Sequence, residues 1–108
     1  MPSAKTDISD MYDIDWLALC LKALGHPVRL KLIEQLQYKD MPCCGDICDC
    51  FSFSQSTISQ HLSVLMDAGL VECKKIGNKS HYTLKHATYR EVLEQLQCLE
   101  QLKRTPFD

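Results

Sequence analysis

Glycine and proline are scarce in this sequence, since each occurs only four times in 108 residues. No internal repeat and no low-complexity linker interrupts the chain. These absences argue against a largely disordered protein. With 45% hydrophobic and 24% charged residues, the composition is that of a soluble globular protein. The length leaves room for one domain with a modest core.

Long apolar runs are also missing. The most apolar stretch, residues 16–24, is interrupted by Lys22 and is too short to span a bilayer. The first residues have no basic flank followed by an apolar run, which a signal peptide requires. We therefore expect a cytoplasmic protein without a membrane segment.

A strong overall charge is lacking as well, because the formal net charge at pH 7 is only −2. The distribution of charge is more informative than the total. The first fifteen residues are acidic, whereas a basic group follows residue 73: Lys74, Lys75, Lys79, Lys85 and Arg90. Such a local basic patch is compatible with contacts to nucleic-acid phosphates.

Cysteine, by contrast, is abundant, with seven residues, four of them between Cys43 and Cys50. A reducing cytosol disfavours a disulfide scaffold, so metal or redox chemistry becomes the more probable use of these thiols. Singly placed cysteines often serve as small buried hydrophobic residues, and we expect this of Cys20, Cys73 and Cys98.

Residues 54–71 carry the most informative pattern. Ile58, Leu62 and Leu65 recur at helical spacing, Ser54 suits the N-cap, and Gly69 suits a left-handed C-terminal position. The other side of the first two turns is polar but uncharged, with Gln55, Ser56, Thr57, Ser59, Gln60 and His61. Short hydrogen-bonding side chains at the start of a helix suit the reading of base edges in a major groove.

The remaining periodicities place this helix in a larger order. Helices are predicted from Met11 to Leu24, from Pro27 to Tyr38, from Cys43 to Phe51 and from Ala87 to Leu102. Strands from Leu70 to Ile76 and from Ser80 to Leu84 flank a Gly77-Asn78 turn. The predicted fold is mainly α with a small β-hairpin: a winged helix-turn-helix of about five helices plus a two-stranded wing. We assign residues 1–10 to a flexible tail and residues 11–104 to one domain for DNA binding and dimerisation.

The first and last predicted helices carry more apolar surface than one small core can bury. The extra apolar side of each is therefore expected to meet a second copy of the chain. We predict a homodimer joined through residues 11–24 and 92–102.

In this order of elements the chain resembles the ArsR/SmtB family of winged-helix repressors over about residues 12 to 102. The resemblance is carried by LKALGHPVRLKLIEQL at 21–36, STISQHLSVLMDAGLV at 56–71 and GNKSHYTL at 77–84. It implies a homodimer joined by its first and last helices, binding to palindromic operator DNA, and release of that DNA when an effector binds. It implies no catalytic residue and no enzymatic activity.

Effector sites of the family can be compared position by position. The arsenic-sensing form reads Cys-Val-Cys-Asp-Leu-Cys, and this chain has Cys-Cys-Gly-Asp-Ile-Cys at 43–48. Gly45 replaces the middle thiol, and Cys44 supplies one a residue earlier. The zinc site of the last helix corresponds to His86, Thr88, Leu99 and Leu102, of which only His86 has a ligand atom. A sulfide-sensing branch uses one thiol in the second helix, where this chain has Glu34, and one in the last, where Cys98 lies.

Spacing decides which thiols can share one ion. Cys44 and Cys48 lie four apart on one helix face, and Cys43 is in the first turn, which can open. Cys50 is too far from Cys43 for both to reach one ion. Three thiolates from Cys43, Cys44 and Cys48 would select a soft acceptor, arsenite or a soft divalent metal ion, over hard cations.

The sequence therefore predicts a cytoplasmic, homodimeric repressor of double-stranded operator DNA, released by a thiol-reactive effector. The residues listed above on the 54–71 helix read sequence, and Lys74, Lys75 and Lys79 supply non-specific affinity. Two alternatives stay open: a thiol-redox-responsive repressor of the same fold, and a constitutive DNA-binding protein with structural cysteines. A thiol oxidoreductase is disfavoured because no Cys-x-x-Cys lies in a βαβ context. A structural zinc module is disfavoured because two separated knuckles are lacking.

Overall fold

The computed structural model describes residues 13–38, 44–48 and 51–101. Within them lie five helices and two strands: α1 Ile14–Leu24, α2 Pro27–Tyr38, α3 Cys44–Cys48, α4 Gln55–Asp67, β1 Val71–Ile76, β2 Lys79–Leu84 and α5 His86–Gln101. This order confirms the predicted fold class. The predicted tail 1–10, the domain limits at 11 and 104, and the thiols Cys43 and Cys50 lie outside the described residues.

Side-chain caps mark the starts of the first two helices. Asp13 caps α1 by accepting the Trp16 N–H at 3.2 Å on its carboxylate. At the junction, His26 caps α2, because its Nδ1 accepts the Val28 N–H at 3.1 Å. Pro27 then occupies the first position of α2, where its missing N–H leaves no hydrogen bond unmade. The predicted bounds of α2 are confirmed.

Helix α4 begins and ends where its sequence predicts. Ser54 accepts the Thr57 N–H at 3.2 Å on its hydroxyl. At the other end, Gly69 has φ +79°, and the N–H groups of Gly69 and Leu70 donate to the carbonyls of Met66 and Leu65 at 2.9 Å. This pair of bonds is a Schellman motif, whose left-handed residue favours glycine.

Strands β1 and β2 form an antiparallel hairpin in which Val71 pairs with Leu84 and Ile76 pairs with Lys79. Gly77, at φ +64°, begins the two-residue turn. A turn of this length requires positive φ, and glycine adopts it without steric cost. We call this hairpin the wing. Its strands begin at Val71 and Lys79, one residue from each predicted start.

The end of the third helix departs from the prediction. The predicted helix ends at Phe51, but residues 51–53 form bends, and the described helix is Cys44–Cys48. The prediction was wrong because the Ile47–Phe51 spacing of four fits a turn as well as a helix. The Phe51 N–H donates to the Cys48 carbonyl at 3.0 Å, which turns the chain while keeping the ring against the core.

One core joins all of these elements. Its fully buried side chains come from every helix and from the segment leading into the wing: Cys20, Leu32, Ile47, Ile58, Leu62, Leu65, Leu70 and Val92.

A buried polar residue, Gln95, links the two terminal helices. Its side-chain oxygen accepts the Asp13 N–H at 2.9 Å, and its amide donates to Glu91 at 2.9 Å. Among the described residues, no helix has the length and apolar character needed to cross a membrane.

Candidate nucleic-acid interface

Helix α4 has two sides of opposite character. Ile58, Leu62 and Leu65 are 0% exposed and fix the helix to the core. The other side is exposed, and from the start of the helix to Ser63 it holds uncharged polar groups, which we call the reading face: Gln55, Ser56, Ser59, Gln60 and Ser63. The exposed Asp67 follows in the last turn of the helix. Ser63 is absent from the predicted set, although its spacing of four from Ser59 and three from Gln60 places it on this face.

Not every predicted contact residue presents its polar group freely. The Ser54 hydroxyl lies 3.0 Å from the Thr57 hydroxyl and 3.2 Å from the Ser56 hydroxyl. Thr57 is half-buried, whereas Ser56 is exposed. These bonds hold the first turn of α4 in one conformation, so its exposed side chains start from a fixed backbone.

His61 lies at the edge of the reading face and is half-buried. Its ring packs against that of His26, with the ring centroids 4.5 Å apart. Burial, and then the charges of His26 and Arg29, lower the pKa of His61 below its ordinary value of 6.5. Arg29 is not among the functional residues predicted from the sequence. The spacing of three between His26 and Arg29 is the signal that both lie on one side of α2.

The wing places basic groups on both of its faces. Successive residues of a strand point to opposite sides, so Lys74 and Lys79 share one side and Lys75 lies on the other. All three lysines are exposed. Because the wing follows α4 directly through Gly69 and Leu70, this positive charge stands next to the helix that carries the reading face.

The cysteines occupy contrasting environments. Cys20 is fully buried, and its Sγ lies 3.6 Å from the Ala68 carbonyl oxygen. Burial raises the pKa of the Cys20 thiol, which keeps it protonated. The expected burial is confirmed for Cys20 but wrong for Cys73, which is exposed because only Val71 of β1 reaches the core. Cys48 and Cys98 are half-buried.

The structure describes only one end of the predicted thiol site. Cys48 closes α3, while Cys43 and the side chain of Cys44 lie outside the described residues. Among the side chains that are described, no three of histidine, cysteine, aspartate or glutamate stand close enough to hold a metal ion. In the last helix, His86 and Leu99 are exposed and Thr88 is half-buried.

Two phenylalanines lie in the described part of the connection between α3 and α4, residues 51–54. Phe51 is half-buried against the core, and the rings of Phe51 and Phe53 lie 6.4 Å apart. Ser54, the cap of α4, follows directly.

Residues 26–72 match the family model described as bacterial regulatory protein, arsR family. An arsenical resistance operon repressor of Staphylococcus aureus is 35% identical over 88 residues, covering 77% of this chain and 79% of that protein. The chain belongs to the arsR family. It is accordingly a winged helix-turn-helix DNA-binding transcriptional repressor and not an enzyme.

Two further likenesses extend this result. A cadmium resistance regulatory protein, a CadC homologue of S. aureus, is 28% identical over 91 residues, covering 84% of this chain and 74% of that protein. The homodimeric winged helix-turn-helix domain Mb0332 of Mycobacterium bovis superposes with a TM-score of 0.69 at 24% identity, covering 93% of this chain and 94% of that one. At that identity the second likeness shows the fold alone.

Proposed function

We propose that this arsR-family protein is a homodimeric repressor that inserts α4 into successive major grooves of a pseudo-palindromic operator. The observation that carries the proposal is the two-sided α4: three fully buried leucine and isoleucine side chains hold it, and an uncharged hydrogen-bonding face is left exposed. Neutral donors and acceptors suit base edges, whereas a helix needing only solubility would more often be charged. Binding to DNA would place the protein in the cytoplasm.

Division of labour within the interface is part of the proposal. Exposed glutamines and serines of the reading face, together with Thr57, contact bases. The exposed wing lysines, Lys74, Lys75 and Lys79, neutralise phosphates and add affinity that does not depend on sequence. His61 differs from both groups because its ring is half-buried and packs on His26.

Apolar surface on the terminal helices supports the homodimer. In α1, Ile14 is 60% exposed and Leu19 is 50% exposed; in α5, Leu93 is 47% exposed and Leu99 is 38% exposed. Gln95 ties these two helices together at 2.9 Å, so their exposed apolar residues form part of one rigid unit. A second copy would cover this surface and set the two α4 helices about 34 Å apart, one turn of DNA.

The effector we propose is arsenite or a soft divalent metal ion bound by Cys43, Cys44 and Cys48. Support comes from the thiol sequence at 43–48 and from the likeness to the arsenical and cadmium resistance regulators. Thiolates prefer soft acceptors, and three of them complete the pyramidal coordination of As(III). Binding would pull on α3 and, through Phe51 and Phe53, on the cap of α4.

A redox alternative uses the same thiols. Cys44 and Cys48 lie four apart, and an oxidant would join two thiols of the cluster instead of placing an ion between them. A constitutive repressor would use the thiols only for packing. The response of the DNA complex to As(III) and to an oxidant distinguishes metalloid sensing, redox sensing and constitutive repression.

The division of labour is tested with Gln60→Ala and Lys75→Ala on an operator selected by the wild-type protein from random duplexes. Gln60→Ala should cost about 1–3 kcal/mol on the operator and much less on random DNA. Lys75→Ala should weaken both alike and reduce the salt slope by about one unit. The measurement is fluorescence anisotropy over a range of salt concentrations.

Gln37→Ala is the matched control, since Gln37 is an exposed glutamine at the end of α2. It should leave both affinities unchanged. A Lys75→Ala protein that lost only operator binding, or a Gln60→Ala protein that lost both alike, would contradict the assignment of roles.

A further inference from the structure

Three side chains meet where α4 passes the α1–α2 junction, and we call them the His–Arg cluster: His26, Arg29 and His61. The Arg29 Nε donates to the Ala23 carbonyl at 2.7 Å, which satisfies the last turn of α1. Its Nη1 lies 3.4 Å from His61 Nδ1. One guanidinium therefore bridges α1, α2 and α4, the helix that carries the reading face.

The donors of the cluster fix which nitrogens carry protons. Arginine has five donors and no acceptor, so a hydrogen bond between Arg29 Nη1 and His61 Nδ1 requires a lone pair on that His61 nitrogen. His26 Nδ1 accepts the Val28 N–H and likewise carries no proton. A proton added to His61 at Nδ1 would place two donors and two positive charges against each other.

We propose that His61 is a positioning residue: in its neutral form it accepts from Arg29, packs on His26, and sets the orientation of α4 on the α1–α2 junction. The inference deepens the proposed function and rests on DNA binding by α4. A contact of His61 with a base or phosphate is the competing role. The two roles differ in the protonation state of His61 that favours operator binding.

The charged groups around the cluster favour the neutral form. His26 faces the His61 ring from the α1–α2 connection, and Arg29 faces it from α2. The lowered pKa of His61 agrees with these neighbours. Two further charged residues, Lys22 of α1 and Asp67 of α4, line a groove together with Arg29.

The two roles of His61 predict opposite pH dependences of operator affinity. When α4 is held in the major groove it cannot shift to separate His61 from Arg29, so the complex tolerates protonated His61 less than the free protein does. Operator affinity should therefore fall on acidification. A histidine that contacted a phosphate or a guanine would instead gain a charge-assisted bond when protonated, and affinity would rise.

The experiment compares the operator affinities of wild type, His61→Gln and His86→Gln between pH 7.5 and 5.5. Glutamine keeps an acceptor for Arg29 but does not titrate. The wild-type protein should lose about threefold to tenfold more affinity than His61→Gln over this range. His86→Gln changes an exposed histidine on α5 and should behave as wild type. Arg29→Lys keeps the charge without the guanidinium fork and should weaken operator binding at pH 7.5 more than binding to random DNA.

A second readout needs no variant. The His61 ring, followed by NMR in the wild-type protein, should titrate at lower pH in the operator complex than in the free protein, because linkage is reciprocal. A higher pKa in the complex, or an affinity that rises on acidification only when His61 is present, overturns the positioning role and leaves the proposed function intact. Absence of operator binding at every pH contradicts the proposed function and this inference with it.

Discussion

Burial favours the neutral form of two ionisable side chains among the described residues. It raises the pKa of the Cys20 thiol and lowers the pKa of the His61 imidazole, so both groups are held neutral. For His61 the folded-state pKa lies below its ordinary value of 6.5. Its neutral form therefore contributes stability that is fully present above about pH 6.5 and is lost as the pH falls through the folded-state pKa.

The same contrast predicts which thiols react. Cys73 is exposed on β1 and should be alkylated by iodoacetamide in the native protein, whereas Cys20, buried and kept protonated, should react only after unfolding. Mass spectrometry of peptides labelled with and without denaturant measures both. Equal labelling of Cys20 and Cys73 in the native protein would show that the buried environment of Cys20 is misassigned.

At the scale of elements, the sequence predicted what local chemistry decides. The cap at Ser54, the left-handed Gly69 and the Gly77 turn each depend on one residue and its immediate neighbours, so their patterns were readable. Helix α3 was harder, since it has only five residues in the structure and Ile47–Phe51 spacing did not distinguish a helix from a turn.

Contacts between elements could not be predicted in the same way. Arg29 reads as a solvent-facing residue of α2, yet it joins Ala23 and His61, which lie on two other helices. Gln95 interrupts the apolar pattern of α5, and its bond to Asp13 spans 82 positions of the sequence. The spacing of apolar residues shows which side of a helix is apolar, but not which other element packs against that side.

The reading face combines both kinds of information. Its members follow from helical spacing alone, and the same spacing predicts Ser63 as a member. The covered position of His61 depends on where α4 crosses the α1–α2 junction, which no local pattern encodes. The thiol assignment at 43–48 rests on sequence and likeness, and stays a proposal.

At the scale of the whole molecule, the unpartnered apolar residues of α1 and α5 predict a dimer. Leu93→Glu would place a charge in the proposed interface while leaving its buried neighbour Val92 in the core. We expect the dimer dissociation constant to rise about tenfold or more, equivalent to about 1.4 kcal/mol, measured by sedimentation velocity at micromolar concentration.

Leu30→Glu is the matched control, because Leu30 is 53% exposed on α2, outside the proposed interface. It should remain dimeric. A wild-type protein that is monomeric at micromolar concentration would contradict the predicted dimer. A Leu93→Glu protein that dimerises as tightly as Leu30→Glu would contradict an interface formed by the terminal helices.

The proposed coupling between the thiols and DNA would be a property of the whole assembly. The effector needs only to bind the DNA-free conformation better than the bound one, and a coupling of about 1–3 kcal/mol lowers operator affinity about 5–150-fold. The proposed route is short: the Phe51 N–H donates to the Cys48 carbonyl, and the rings of Phe51 and Phe53 lie 6.4 Å apart just before Ser54.

The most direct test of this account is a titration of the preformed operator complex with As(III), followed by fluorescence anisotropy, in the wild-type protein and in Cys44→Ser, Cys48→Ser and Cys73→Ser. We predict that all four bind the operator. As(III) should release the wild type and Cys73→Ser, but neither Cys44→Ser nor Cys48→Ser. Release by an oxidant and not by As(III) would favour a disulfide switch. A wild-type complex that survives both As(III) and the oxidant would contradict thiol sensing.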